Sequence, residues 1–336
     1  MNQEFWSGKR VFITGHTSFR GSWLALTLQK AGAQVFGYAL PPTTSPNFFD
    51  VGNVSQSMTS TFSDIRDAQS LKSALEFAQA EVVFHLAGGG GLKDSWSRIP
   101  DVYSTQVMGT IHLLEALKET ASVRAVVILS SDKVYRKEVG ASSFKETDPL
   151  GGNEPAATSK ACTELIVESY LQGVFAPEKY NKHKIAIATA RMGAVIGGGD
   201  FAPDSLIYQL AQSCQAGVDL PLRNPDSLRS WMHIDDAVSG LMLLGQSLIE
   251  KGPKAVGPWN VGSGVESMAT VKVIKQAFVN AFQGKPMVNI AESPGRSVHG
   301  GLDNSKIEGN IGWRMHYSSE QAAVAAAHWY QEYYSM

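Results

Sequence analysis

Between Lys9 and Arg191, short runs of β-branched and other apolar residues alternate with longer stretches in which apolar positions recur at helical spacing. That alternation predicts an α/β fold wound on both sides of a parallel sheet. Strands are read at residues 11–14, 35–38, 61–63, 82–86, 125–130 and 185–189, and helices between them at 22–31, 68–78, 103–118 and 156–171. The runs at 82–86 and 125–130 are almost continuously apolar, which requires cover on both faces of the sheet. Beyond Arg191 the alternation weakens, and loops containing glycine or proline intervene at 197–199 and 221–225. Helices are expected there at 202–216, 234–248, 268–282 and 319–334, with strand material at 257–261. The chain therefore divides into a unit over residues 1–191, to which later segments can return, and a smaller α/β unit over 192–336.

Composition narrows the classes of function. Of 336 residues, 29 are Lys or Arg and 31 are Asp or Glu, so no broad field draws the chain to nucleic acid or to an anionic membrane. The apolar segments are short and broken by glycine or charge, which predicts no membrane span, and the first eight residues carry no basic run of the secretory kind. A cytoplasmic protein is expected. Cys162 and Cys214 read as ordinary thiols, and no His, Cys, Asp or Glu cluster has metal-ligand spacing.

Any phosphate binding must then be local, and one segment provides for it. Gly15, His16, Thr17, Ser18, Phe19, Arg20 and Gly21 lie between the first strand and the first long helix. A strand entering a tight turn and then a helix presents free backbone N–H groups to an anion such as a pyrophosphate. Asp64 and Ile65 follow the third strand, where a solvated Asp64–Arg66 turn is the plain alternative. Leu86 and Ala87, followed by Gly88 to Gly91, follow the fourth strand and let backbone come close to a ligand. The fifth strand ends in Ser130, Ser131, Asp132, Lys133, Val134 and Tyr135, at the sheet edge where ligands sit in such folds. A surface Asp132–Lys133 ion pair is the plain reading of that turn taken alone. Arg229 carries a guanidinium able to bridge two phosphate oxygens.

The matches are numerous: Gly8-Lys9-Arg10-Val11 with the Gly15 turn, Gly21-Ser22-Trp23-Leu24, Val107-Met108-Gly109-Thr110, Ser131-Asp132-Lys133, Gly151-Gly152, Ser159-Lys160, Val195 to Asp200, Arg223-Asn224-Pro225, Arg229 to His233 and Trp259-Asn260. On these the chain resembles the extended short-chain dehydrogenase/reductase family and, within it, the CDP-glucose 4,6-dehydratases. The resemblance implies a Rossmann-type doubly wound parallel sheet with a smaller C-terminal α/β substrate domain. It implies NAD as cofactor, with NADP also compatible, and a CDP-glucose-like sugar nucleotide as partner. It assigns Gly15, Thr17, Ser18, Phe19, Arg20, Gly21, Asp64, Ile65, Leu86, Ala87 and Lys160 to the cofactor, and counts Lys160 among the catalytic residues as well. Arg223, Asn224 and Arg229 go to the sugar nucleotide. Ser131 would hold the sugar, Asp132 would protonate the departing 6-hydroxyl, and Lys133 would remove the C5 proton. A homodimer packed through the helices at 103–118 and 156–171 is also implied, with Val107, Ile111, Leu114, Ile166 and Val167 as the apolar positions.

Several positions depart from that pattern. Ser18 stands where the family has the middle glycine of Gly-x-x-Gly-x-x-Gly, and Tyr38-Ala39-Leu40 lacks the acidic residue that accepts a ribose hydroxyl. Gln106 and Ala194 replace asparagines, and the Gly88–Gly91 run replaces a Gln-Pro-type segment. Ala156 stands four residues before Lys160, where the family has the tyrosine that takes the 4-hydroxyl proton during C4 oxidation. Three readings stay open. The chain is a dehydratase (lyase), eliminating water across C5/C6, in which Tyr135, Lys133 or a bound water replaces the base; or an epimerase-like enzyme using Asp132 and Lys133; or an inactive binding homologue.

Overall fold

The computed structural model describes residues 3–88, 95–136, 143–222, 224–282 and 300–336. Seven strands form one parallel sheet in the order Gly257–Val261, Ala186–Met192, Ala125–Ser131, Val82–His85, Arg10–Thr14, Gln34–Ala39 and Met58–Phe62. Period-two alternation divides each strand between two cores. Val11, Ile13, Phe84 and Val127 pack on one face, while Phe12, Val83, Val126 and Ile128 pack on the other. This is the Rossmann-type arrangement expected.

The boundaries differ from expectation where local packing decides them. The third strand begins at Met58, because residues 58–62 pair in register with Val35 to Ala39. The helix expected at 103–118 is built as Ile99–Tyr103, a π turn at Ser104–Met108 and Gly109–Leu117. Such single wide turns accompany functional sites.

The strand Gly257–Val261 pairs with Ala186–Met192 and so belongs to the main sheet. The helix Ile234–Lys251 also packs there, through Val238, Leu241 and Leu244. A separate core joins Leu206–Ala216, Val271–Phe282 and Ser319–Ser335 through Leu210, Ile274, Phe278, Ala323 and Tyr330. On the helices expected to meet a second subunit, Leu114 and Val167 turn inward into the core beneath the sheet. Met108 and Leu165, 44% and 56% exposed, are the large apolar side chains that turn outward.

A buried polar network ties the late strands together. Arg191 Nη2 meets Glu164 Oε2 at 2.9 Å, and Thr189 Oγ1 donates to the same oxygen at 2.8 Å. Arg191 Nη1 donates to Tyr135 Oη at 3.1 Å and to the Glu146 carbonyl at 2.9 Å. Tyr135 Oη in turn donates to Asn260 Oδ1 at 2.6 Å. Removing one partner of a buried ion pair leaves the other charge uncompensated, at a cost of about 3–5 kcal/mol. Arg191→Leu is therefore expected to lower unfolding free energy by about that amount in urea titrations; a loss below about 1 kcal/mol would show that water screens Glu164.

Candidate functional site

Strand order reverses between Arg10–Thr14 and Val82–His85, and a crevice opens beyond their carboxyl ends at that point. Gly15 adopts φ +78°, and a Cβ added to it would stand 2.7 Å from the Ala87 nitrogen. A Cβ on Gly21 would overlap the Gly15 carbonyl oxygen. Both positions therefore require glycine for close backbone approach, which keeps the turn open to a ligand.

A chain of hydrogen bonds fixes this turn from below. Thr110 Oγ1 donates to the Gln106 carbonyl at 2.7 Å, so its oxygen is left to accept from His85 Nε2 at 3.1 Å. His85 Nδ1 then accepts from Thr14 Oγ1 at 2.7 Å, and Thr14 Oγ1 accepts from the Ala87 N–H at 3.2 Å. This sequence of donors requires the neutral imidazole with its proton on Nε2. Burial, and then the nearby Lys160 charge, push His85 down to about 3, in agreement with that state. His85 is thus structural.

Ser18 caps the helix Phe19–Lys30. Its Oγ donates to the Gly15 carbonyl at 2.7 Å and accepts from the Gly21 N–H at 3.2 Å. The Ser18 hydroxyl proton is spent inside the turn. Ser18 borders the crevice without closing it: a cavity of about 430 Å³ remains, bounded by Thr17 to Arg20, Leu86, Gly88, Gln106, Leu129 and Lys160. Thr17 Oγ1 donates outward to the Leu40 carbonyl at 2.8 Å.

The cavity also takes Thr43, Thr44, Asn47 and Phe48 from the loop after the second strand, and Asp200 from the 197–200 turn. Sequence reasoning passed over the 41–48 loop, whose signal was the run Pro41-Pro42 to Pro46-Asn47. Arg20 projects into this space. Among the described residues its Nε is buried with no hydrogen-bond partner, and Asp200 and Asp132 are the carboxylates that act on its charge. Gln106 lies beneath Gly88, whose added Cβ would stand 2.5 Å from Gln106 Oε1.

Beside this cavity the fifth strand ends in the catalytic candidates. Ser131 Oγ donates to Asp132 Oδ1 at 3.0 Å and accepts from the Lys133 N–H at 3.2 Å. Burial raises the Asp132 pKa, against Lys133, the Ser131 hydroxyl and Arg20, which favour the charged form. Tyr135 does not serve as a replacement base. Its hydroxyl is engaged with Asn260 and Arg191, its ring stacks on Phe144 at 4.8 Å, and burial pushes its pKa up to about 12.

Other candidates stand apart from the cavity lining. The Asp64 carboxylate is held by Arg66 at 2.6 Å, and Ile65 is buried in the core, where it fills the space beside Gly109. Arg229 lies over the Trp231 ring at 5.7 Å; among the described residues its buried Nε has no hydrogen-bond partner, and Asp132 is the carboxylate that acts on it. Asn224 is exposed. Arg223 and Gly89 to Gly91 lie outside the described residues. Among the described residues there is no group of three or more potential metal ligands, and no helix is long and apolar enough to cross a membrane.

Comparison with known proteins agrees with this geometry. The NAD dependent epimerase/dehydratase family matches residues 11–262. The chain is 35% identical to the CDP-glucose 4,6-dehydratase of Salmonella typhimurium over 333 residues, 98% of this chain and 93% of that one. It is 25% identical to a dTDP-glucose 4,6-dehydratase of Haemophilus influenzae, over 80% of this chain and 81% of that one. Among solved structures, the Thermus thermophilus UDP-glucose 4-epimerase in complex with NAD superposes with a TM-score of 0.80 at 21% identity, covering 96% of this chain and 99% of that one. MoeE5 in complex with UDP-glucose and NAD gives 0.78 at 22% identity, covering 97% and 100%. At these identities the structures establish the fold.

The cap at Ser18 sets a measurable expectation. Ser18→Ala should cost about 0.5–2 kcal/mol in urea unfolding and Ser18→Gly only a few tenths. Equal stability of all three proteins would show that the Ser18–Gly21 bond does not form in solution.

Proposed function

The chain belongs to the NAD dependent epimerase/dehydratase family, and we propose that it binds NAD and a CDP-glucose-like sugar nucleotide and acts on the sugar as a dehydratase-type lyase of reduced turnover. One observation carries the reading: a turn that excludes Cβ atoms at Gly15 and Gly21 brings Arg20 to a crevice shared with Lys160 and within reach of the Asp132 charge. The residues present fit a dinucleotide, because the turn leaves room for backbone contact and Arg20, whose buried Nε has no hydrogen-bond partner among the described residues, lines the crevice.

In this reading Gly15, Ser18 and Gly21 hold the diphosphate, with Thr17, Phe19 and Arg20 lining its path and Lys160 on the ribose. Leu86 and Ala87 bound the cofactor on the other side, and Asp64 and Ile65 serve the adenine end. Arg229, Arg223 and Asn224 hold the sugar nucleotide. Bound NAD supplies a hydride acceptor for C4 of the sugar. Ser131 orients the sugar; Asp132, which burial inclines to keep its proton, donates it to the departing 6-hydroxyl; Lys133 takes the proton at C5. Ala156 occupies the position of the 4-hydroxyl base, and a methyl group accepts no proton. A cytoplasmic homodimer, with Met108 and Leu165 covered by the second subunit, completes the proposal. The alternative, a binding homologue without turnover, is favoured by the same alanine together with the engagement of Tyr135 in its network.

Product analysis after incubation with NAD and CDP-glucose tests both. Loss of general-base assistance is typically worth about two to four orders of magnitude in rate. Slow formation of the 4-keto-6-deoxy sugar, raised about a hundredfold or more by Ala156→Tyr, is expected. Wild-type turnover equal to that of Ala156→Tyr would sink the claim of reduced catalysis, and thermal stabilisation by both ligands without product in either protein would favour the binding homologue.

A further inference from the structure

The crevice contains an amine whose surroundings suit it to more than holding a ribose. Lys160 stands one helical turn after Ala156 on Pro155–Gln172, so the two side chains share a face of the helix. Its Nζ donates to the Leu129 carbonyl at 3.2 Å and borders the same cavity as Arg20 and Gln106.

Charged and titratable neighbours reach Lys160 from three elements. Arg20 comes from the helix of the glycine turn, His85 from the fourth strand, and Glu164 from the next turn of its own helix. His85 is neutral, as its hydrogen bonds require. Glu164 is engaged by Arg191 and Thr189, so its charge is largely compensated elsewhere. The remaining full charge is the Arg20 guanidinium, which repels an ammonium. Among the other polar groups on this face, Ser159 Oγ is spent on the Ala156 carbonyl at 2.9 Å.

We propose that Lys160, as the free amine, accepts the sugar hydroxyl proton that a tyrosine at position 156 would accept. The step balances: the O–H bond at C4 breaks and its proton joins the Nζ lone pair, while the hydride leaves C4 for NAD and a C4 carbonyl forms. This rests on the functional reading above. Burial first, and Arg20 second, lower the Lys160 pKa to about 8. At pH 7 about a tenth of the amine is then free, against fewer than about one in a thousand for an ordinary lysine. A depressed lysine is charged below its pKa and neutral above it, so the rate should rise with pH through about 8 and then level.

Two measurements test the proposal. Competitive acetylation of the ligand-free protein across pH, read by peptide mass spectrometry at Lys160, should give a midpoint near 8, and Arg20→Gln should move it upward. A midpoint above about 10 overturns the proposal. Turnover of CDP-glucose with NAD should show the same alkaline limb, which Ala156→Tyr should abolish. Lys160→Arg keeps the charge and hydrogen-bond donors but offers no base, so turnover should fall about a hundredfold or more while NAD affinity by calorimetry stays within several-fold. Unchanged turnover in Lys160→Arg overturns the base assignment alone; failure of the wild type to bind NAD overturns it together with the functional reading.

Discussion

Two backbone segments meet at the head of the sheet with no room for a side chain between them. Gly15 lies against Ala87, and Gly21 lies against the Gly15 carbonyl. Hydrophobic burial on both sheet faces brings the first and fourth strands side by side, but the contact between their ends is decided by glycine and by Thr14, whose hydroxyl serves His85 and the Ala87 N–H together. Because the strand order reverses there, the same approach leaves a crevice. The Ser18 cap, the lining by Arg20 and the placement of Lys160 all depend on it.

Most polar side chains below that level are satisfied in series. Thr14, His85, Thr110 and Gln106 form one chain, and Glu164, Arg191, Tyr135 and Asn260 form another. Within the second chain Arg191 Nε and Glu164 Oε1 stay without a partner among the described residues, and at the carboxyl ends of the strands so do Arg20 Nε, Arg229 Nε and Ser130 Oγ. Buried donors left open carry a desolvation cost of roughly 1–3 kcal/mol each, and an anionic ligand with hydroxyl groups would relieve it. The positive character is local, in a chain whose 29 basic and 31 acidic residues nearly cancel.

How much of this was legible in the sequence depends on range. The alternation of apolar runs located every strand of the main sheet, because strand and helix periods are local properties. The π turn at Ser104–Met108 was not legible, since it is an insertion into otherwise ordinary helix periodicity. The Asp64–Arg66 pair, two residues apart, was legible as an alternative, whereas the role of Tyr135 is decided by Asn260, 125 residues away. Ser18 was legible as a departure from Gly-x-x-Gly-x-x-Gly, but its function as a cap required knowing where the first helix starts. The 41–48 loop was missed because turn-forming residues mark a loop without saying which cavity it folds over.

The distribution of strain points toward chemistry more than toward stability. Placing Lys160 in a buried site beside Arg20 disfavours its charge, and Glu164, itself engaged by Arg191 and Thr189, offsets that only in part. A chain selected only to fold would gain from a neutral side chain at either position. The opposite arrangement stands at Arg191, where a buried guanidinium is matched by Glu164, Tyr135 and a backbone carbonyl and has no access to the crevice. The structure thus separates buried charge held by an opposite charge, under the sheet edge, from buried charge left in tension where a ligand enters. In the proposed reaction Ala156 offers no phenol, and the tension falls on the Lys160 amine.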